Sequence, residues 1–136
     1  MIAAGCCLNG TVKEWIAKAE DDFDIAQLAM RAPNRPHYDA VCFDSQQCVE
    51  KLMKGLLIHL GIKPPRTHSL AALDELLTQT SPGWTWPPAE LRFLTKGAGA
   101  LRYPGATAER DDAVHALAIC TRLREALLKL LHEDEE

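Results

Sequence analysis

Tyr38 to Lys54, YDAVCFDSQQCVEKLMK, is the stretch on which the fold turns. Apolar or small residues fall at Tyr38, Val41, Cys42, Ser45, Cys48, Val49, Leu52 and Met53, and the pattern continues through Leu56 and Leu60. This three-and-four spacing is that of an amphipathic helix with one wide buried stripe. Beside the stripe runs a polar row: Gln46, Gln47, Glu50, Lys51 and Lys54. Gln47, Lys51 and Lys54 follow one another a turn apart, and Glu50 precedes Lys54 in the favourable i,i+4 order. Amide donors, amide acceptors and cations along one edge can hold a nucleotide or a phosphate backbone. The alternative is an ordinary solvated helix face.

Helical patterning extends outward in both directions. Thr11, with Glu14 three residues on, predicts a capping box that opens a first helix running to Arg31. That helix carries Val12, Trp15, Ile16, Ala19, Phe23, Ala26 and Met30 inward, and the Pro33 to Pro36 stretch ends it. The second helix is predicted from His37 to Leu60, stopped by Gly61 and the prolines beyond. A short third helix opens near His68 and Ser69, with His68 as its cap. A fourth starts at Pro88 and carries Leu91, Leu94 and Leu101, with Gly97 and Gly99 weakening its last turn. A fifth spans Ala108 to Leu131, burying Ala113, Ala116, Leu117, Cys120, Leu123, Leu127 and Leu130. Trp84 and Trp86 lie in a Trp/Pro-rich loop that either caps the core or covers a partner. No strand is predicted. The class is all-α, an up-and-down bundle of four to five helices over residues 11–132, between a flexible leader (1–10) and an acidic tail (133–136).

Composition narrows the functions. A length of 136 residues suits one domain with a sizeable core. Hydrophobic residues at 47% and charged residues at 25% are ordinary for a soluble protein. A net charge of −4 argues against a DNA-coating surface, although the acidic residues gather at Glu20 to Asp22 and in the tail, leaving room for a local basic patch. No apolar run reaches the roughly 20 residues of a membrane span, and the leader has no basic region of the signal-peptide kind. The five cysteines include no CxxC pair, and Cys42, Cys48 and Cys120 fall on buried stripes. A reduced, cytoplasmic protein without metal or cofactor is expected. No His/Cys/carboxylate cluster has metal-ligand spacing, and no phosphate-binding glycine motif occurs.

Four pieces occur in order: Trp15-x3-Ala19-x2-Asp22-Phe23-x2-Ala26; Tyr38-x4-Phe43-x2-Gln46-Gln47-x2-Glu50-Lys51-x2-Lys54; Leu60-Gly61-Ile62-x-Pro64-Pro65-x-Thr67-His68-x-Leu70; and Arg102-Tyr103-Pro104. In that order, from Trp15 to Leu131, the chain resembles the HEPN family, small all-α domains named for nucleotide binding in higher eukaryotes and prokaryotes. The resemblance implies a helical bundle, commonly dimeric and often encoded beside a minimal nucleotidyltransferase in toxin–antitoxin pairs. Some members are metal-independent ribonucleases.

The ribonuclease members use an Arg followed four to six residues later by a His, the imidazole moving protons and the guanidinium neutralising phosphate. After Arg102-Tyr103-Pro104 this chain reads Gly105-Ala106-Thr107-Ala108, with no imidazole. Two other pairs match the spacing: Arg31 with His37, and Arg110 with His115. The latter two lie roughly 140° apart around a helix, which makes them the better candidates for cleavage only if they converge. Arg102 on its turn suits bidentate phosphate contact, and Tyr103 offers a stacking face. Alternatively, Arg102 pairs with Asp22 or Glu50 and clamps the bundle. The candidate ligand residues are therefore Arg102, Tyr103, Gln46, Gln47, Lys51, Lys54, Asp22 and His68. His59 and His132 are expected at the surface. The leading reading is a nucleotide- or RNA-binding module; the rivals are a ribonuclease toxin and a protein interaction module.

Overall fold

The computed structural model describes residues 8–101 and 103–133, and among them it contains five helices and no strand. They are α1 (Gly10–Met30), α2 (Tyr38–His59), α3 (Leu70–Thr80), α4 (Pro88–Ala100) and α5 (Arg110–His132). Helix α1 starts earlier than Thr11, because Asn9 caps it: its side-chain oxygen accepts from the Val12 amide at 2.8 Å. Leu8 is already buried in the core. The packed chain thus begins inside the stretch expected to be a leader.

Helix α2 is the axis of the bundle and packs against each of the other four helices. Its burial is therefore wider than one stripe: Val41, Cys42, Cys48, Val49, Leu52, Met53, Leu56 and Leu57 are all buried. Gly55 lets α1 come close, since a Cβ there would stand 3.2 Å from Trp15 Cβ. His59 is buried too, contrary to its expected surface position, because α2 is covered on all sides. The helix ends in a two-bond Schellman turn. Gly61 takes a φ of 85°, the Gly61 amide bonds Ile58 O at 2.9 Å, and the Ile62 amide reaches Leu57 O at 2.9 Å.

The cap of α3 is Ser69, whose Oγ accepts from the Ala72 amide at 3.3 Å. His68 is free of that task and turns toward α2. Pro88 occupies the first turn of α4, where its missing N–H costs nothing. Trp84 is buried and donates from Nε1 to Asp74 at 2.7 Å, while Trp86 stacks on it with ring centroids 6.0 Å apart. Helix α5 opens with a capping box between Glu109 and Asp112. It is fastened to α1 by Arg124, whose Nε and a terminal nitrogen grip the Glu20 carboxylate at 2.6 and 2.8 Å. Cys48 and Cys120 are buried free thiols. A mutual hydrogen bond and burial push the Cys48 thiol far up, so it packs as a neutral group. No described helix is long and apolar enough to cross a membrane.

Candidate functional site

The polar row of α2 is knit together within the protein. Glu50 is only 4% exposed, and every oxygen of its carboxylate has a partner. Oε1 accepts from Gln46 Nε2 at 2.9 Å and meets His68 Nδ1 at 3.0 Å, while Oε2 accepts from Lys54 Nζ at 3.0 Å. The i,i+4 spacing of 46, 50 and 54 aligns these groups on one face, and the turn after α2 brings His68 over them. Gln46, buried as well, gives an N–H to the His68 carbonyl at 3.2 Å and accepts from Gln47 Nε2 at 2.8 Å. Burial pushes the Glu50 carboxyl up, but the hydrogen bonds from Gln46, Lys54 and His68 outweigh it and hold the group below the ordinary carboxylate range. Against an ionised carboxylate His68 Nδ1 must carry the proton, which fixes the ring's orientation while its outer face stays exposed.

One turn around, Lys51 Nζ meets Asp22 Oδ2 of α1 at 2.5 Å. Asp44 stands beside this pair without a cation of its own. Burial first, then repulsion from Asp22, raises its carboxyl to about 6, with Lys51 offsetting part of the rise. The row expected to face a ligand thus spends most of its donors on Glu50 and Asp22, and Gln46 and Glu50 are buried rather than edge residues.

Open space lies elsewhere. A cavity of about 550 Å³ is bounded by the C-terminal half of α4, the start of α5 and the loop between them, with Cys42 of α2 behind. It exists because small residues line it, among them Gly97, Ala100, Gly105, Ala106 and Ala116, while Phe93, Leu94 and Leu101 give it apolar walls. Burial, then the nearby carboxylates Asp112 and Asp39, push the Cys42 thiol up to about 11, so it offers a neutral S–H. A second cavity of about 320 Å³ is lined by Arg35, His37, Tyr38 and Asp39, and shares Thr107 and Ala108 with the first. Asp39 Oδ1 accepts from the Ala108 amide at 2.7 Å, tying the α4–α5 loop to the first turn of α2.

The remaining candidates sort as follows. Arg102 lies outside the described residues; Leu101 and Gly105, on either side of its triplet, line the larger cavity, and Tyr103 is 70% exposed. Both proposed clamp partners of Arg102 already hold other cations, Asp22 with Lys51 and Glu50 with Lys54. Arg110 is the exposed first residue of α5, while the His115 ring packs on Phe93 with centroids 4.4 Å apart. His37 does face a cavity, but its companion there is Arg35 rather than Arg31. Sequence reasoning passed over Arg35, Asp39 and Asp44; an acidic residue in the first turn of α2 was the one available signal for Asp39. Among the described residues, no group of three or more His, Cys, Asp or Glu is arranged to hold a metal ion.

A family model, HEPN domain, matches residues 12–131. The chain belongs to the HEPN domain family. Its fold is similar to that of TT1696 from Thermus thermophilus, at 20% identity with a TM-score of 0.74, over 90% of this chain and 100% of that one. It is also similar to ST0689, an archaeal HEPN homologue, at 30% identity with a TM-score of 0.68, over 90% of this chain and 99% of that one. No protein of curated function matches the chain.

Proposed function

We propose that this HEPN chain is a nucleotide- or RNA-binding module that presents its ligand rather than transforming it. The observation that carries the reading is the 550 Å³ cavity flanking the Arg102-Tyr103-Pro104 triplet. Its volume lies within the roughly 300–1,000 Å³ of small-molecule sites, and its mostly apolar wall with a few polar groups is the usual composition of such a site. Arg102 supplies a phosphate fork and Tyr103 a ring for stacking. The Glu50 network holds α2 and the His68 turn in one arrangement.

The side chains at hand favour binding without cleavage. Thr107 stands where an imidazole would be needed and cannot shuttle a proton near neutral pH. We further propose that the module works as a homodimer beside a minimal nucleotidyltransferase, in the manner of a toxin–antitoxin pair, in the cytoplasm. Nucleotide-induced thermal shift tests the binding reading: a rise in Tm that saturates with ligand is expected. No shift with any nucleotide or short RNA leaves the module as a protein interaction domain.

A further inference from the structure

We propose that the two cavities on either side of Thr107 and Ala108 are one site for a single nucleoside monophosphate, the base in the larger and the phosphate in the smaller. The inference rests on the binding reading above and narrows it from nucleotide or RNA to a mononucleotide.

The chemistry divides cleanly between the two cavities. The larger has Phe93, Leu94 and Leu101 as apolar walls and small residues opposite, which suits a flat base. The smaller gathers the Arg35 guanidinium, the His37 imidazole and the Tyr38 ring. Among the described residues no carboxylate forms an ion pair with Arg35, so its fork is available for a phosphate. The first-turn residues Tyr38, Asp39 and Ala40 of α2 line the same space, and its N-cap, His37, makes no side-chain cap bond. Asp39 is the negative group in this cavity. One of its oxygens is held by the Ala108 amide, and the other is the acceptor that a ribose hydroxyl between base and phosphate would need.

A strand of RNA fits this geometry less well. Single-stranded nucleic acid is held by a basic track with successive stacking platforms. Of the described residues lining the two cavities, only Arg35, His37 and Lys96 can carry positive charge, and the chain as a whole is at −4. Two adjoining compartments of these sizes accept one nucleotide.

Titration calorimetry on the full chain with AMP, GMP, inorganic phosphate and a short single-stranded RNA tests the division. One mononucleotide per chain is expected, bound more tightly than the RNA. Arg35→Ala should weaken it roughly ten- to a hundredfold, the usual weight of a charge-assisted hydrogen bond. Gly97→Leu should abolish nucleotide binding by filling the larger cavity. A Cβ at Gly97 meets nothing within 4 Å, and leucine is a better helix former, so the fold is retained. Inorganic phosphate should bind weakly, respond to Arg35→Ala and ignore Gly97→Leu. If nucleotide binds but neither variant changes its affinity, the two-cavity site is wrong and the binding module stands. If RNA binds and mononucleotides do not, the narrowing is overturned. If nothing binds, both readings fall.

Discussion

Asp39 in the first turn of α2 holds the Ala108 amide at 2.7 Å across 69 residues of chain, and through that bond the α4–α5 loop is moored beside the two cavities. Removing the acceptor strands a partly buried N–H, which costs about 1–3 kcal/mol. Asp39→Ala should therefore lower stability by that amount in urea denaturation. Asp39→Asn, whose amide oxygen still accepts, should lose clearly less.

Asp44 gives a stability effect with a definite sign. Its folded carboxyl, raised by burial and by Asp22 to about 6, stands above the ordinary unfolded value. The folded state therefore favours the protonated form, and stability falls as pH rises from the unfolded value through 6. Asp44→Asn should stabilise the protein at pH 7.5 by about 1 kcal/mol, once solvent screening of a partly exposed carboxyl is allowed for. The gain should vanish near pH 4. A Tm difference independent of pH would contradict this assignment.

Where phosphate sits at the Arg102 turn, as in the nucleotide- or RNA-binding reading, Arg102→Ala should weaken binding by about 1.5–3 kcal/mol, the worth of a charge-assisted hydrogen bond, whereas a single phosphate seated at Arg35 leaves the affinity unchanged. Arg102→Lys should recover part of it, because an ammonium cannot form the planar fork. Calorimetry at matched folded fraction separates this outcome from a structural clamp, for which Tm drops and the Kd of the folded molecules stays unchanged.

Purified wild-type protein should leave single-stranded RNA intact over hours, with or without chelator, since no His follows Arg102-Tyr103-Pro104 through Ala108. If cleavage is seen on a gel, His115→Ala distinguishes the Arg110–His115 pair from contamination. With its ring packed on Phe93, His115 is not expected to contribute.

Light scattering should give a dimer at tens of micromolar. The α2 stripe is used up inside the bundle, so the surface that favours pairing is on α1. There Ile25 and Leu28, three residues apart on one stripe, are 48% and 63% exposed. Leu28→Glu should yield monomer, and a two-fold contact should bury on the order of 800 Å² per partner.

The sequence disclosed the parts of the fold that are local. The Tyr38 to Met53 spacing, the Gly61 stop and the Pro88 start depend on residues within a turn or two of one another. Helical periodicity gives the direction in which Gln46 and Glu50 point but not what covers them. Burial came from the His68 turn, an interaction 18 residues away for Glu50 and 22 for Gln46. Asn9 and Thr11 are both good caps two residues apart, and local preference could not choose between them. The cavities were beyond reach for the same reason as Glu50's partners. The smaller arises where the α1–α2 and α4–α5 loops meet, and the larger where the α4–α5 loop folds over α4, α5 and Cys42, and no periodicity encodes either meeting.

The stacked Trp84 and Trp86 rings supply an optical handle. They line a small cavity with Ala126 and Leu130 near the far end of α5, roughly 20 Å along its axis from Ala116 at the larger cavity. Their excited states are close enough to couple, which marks the indole pair in circular dichroism apart from the helical backbone signal. Ligand entering near Thr107 should leave that feature untouched, while unfolding erases it, so one spectrum can separate occupancy of the site from loss of the bundle.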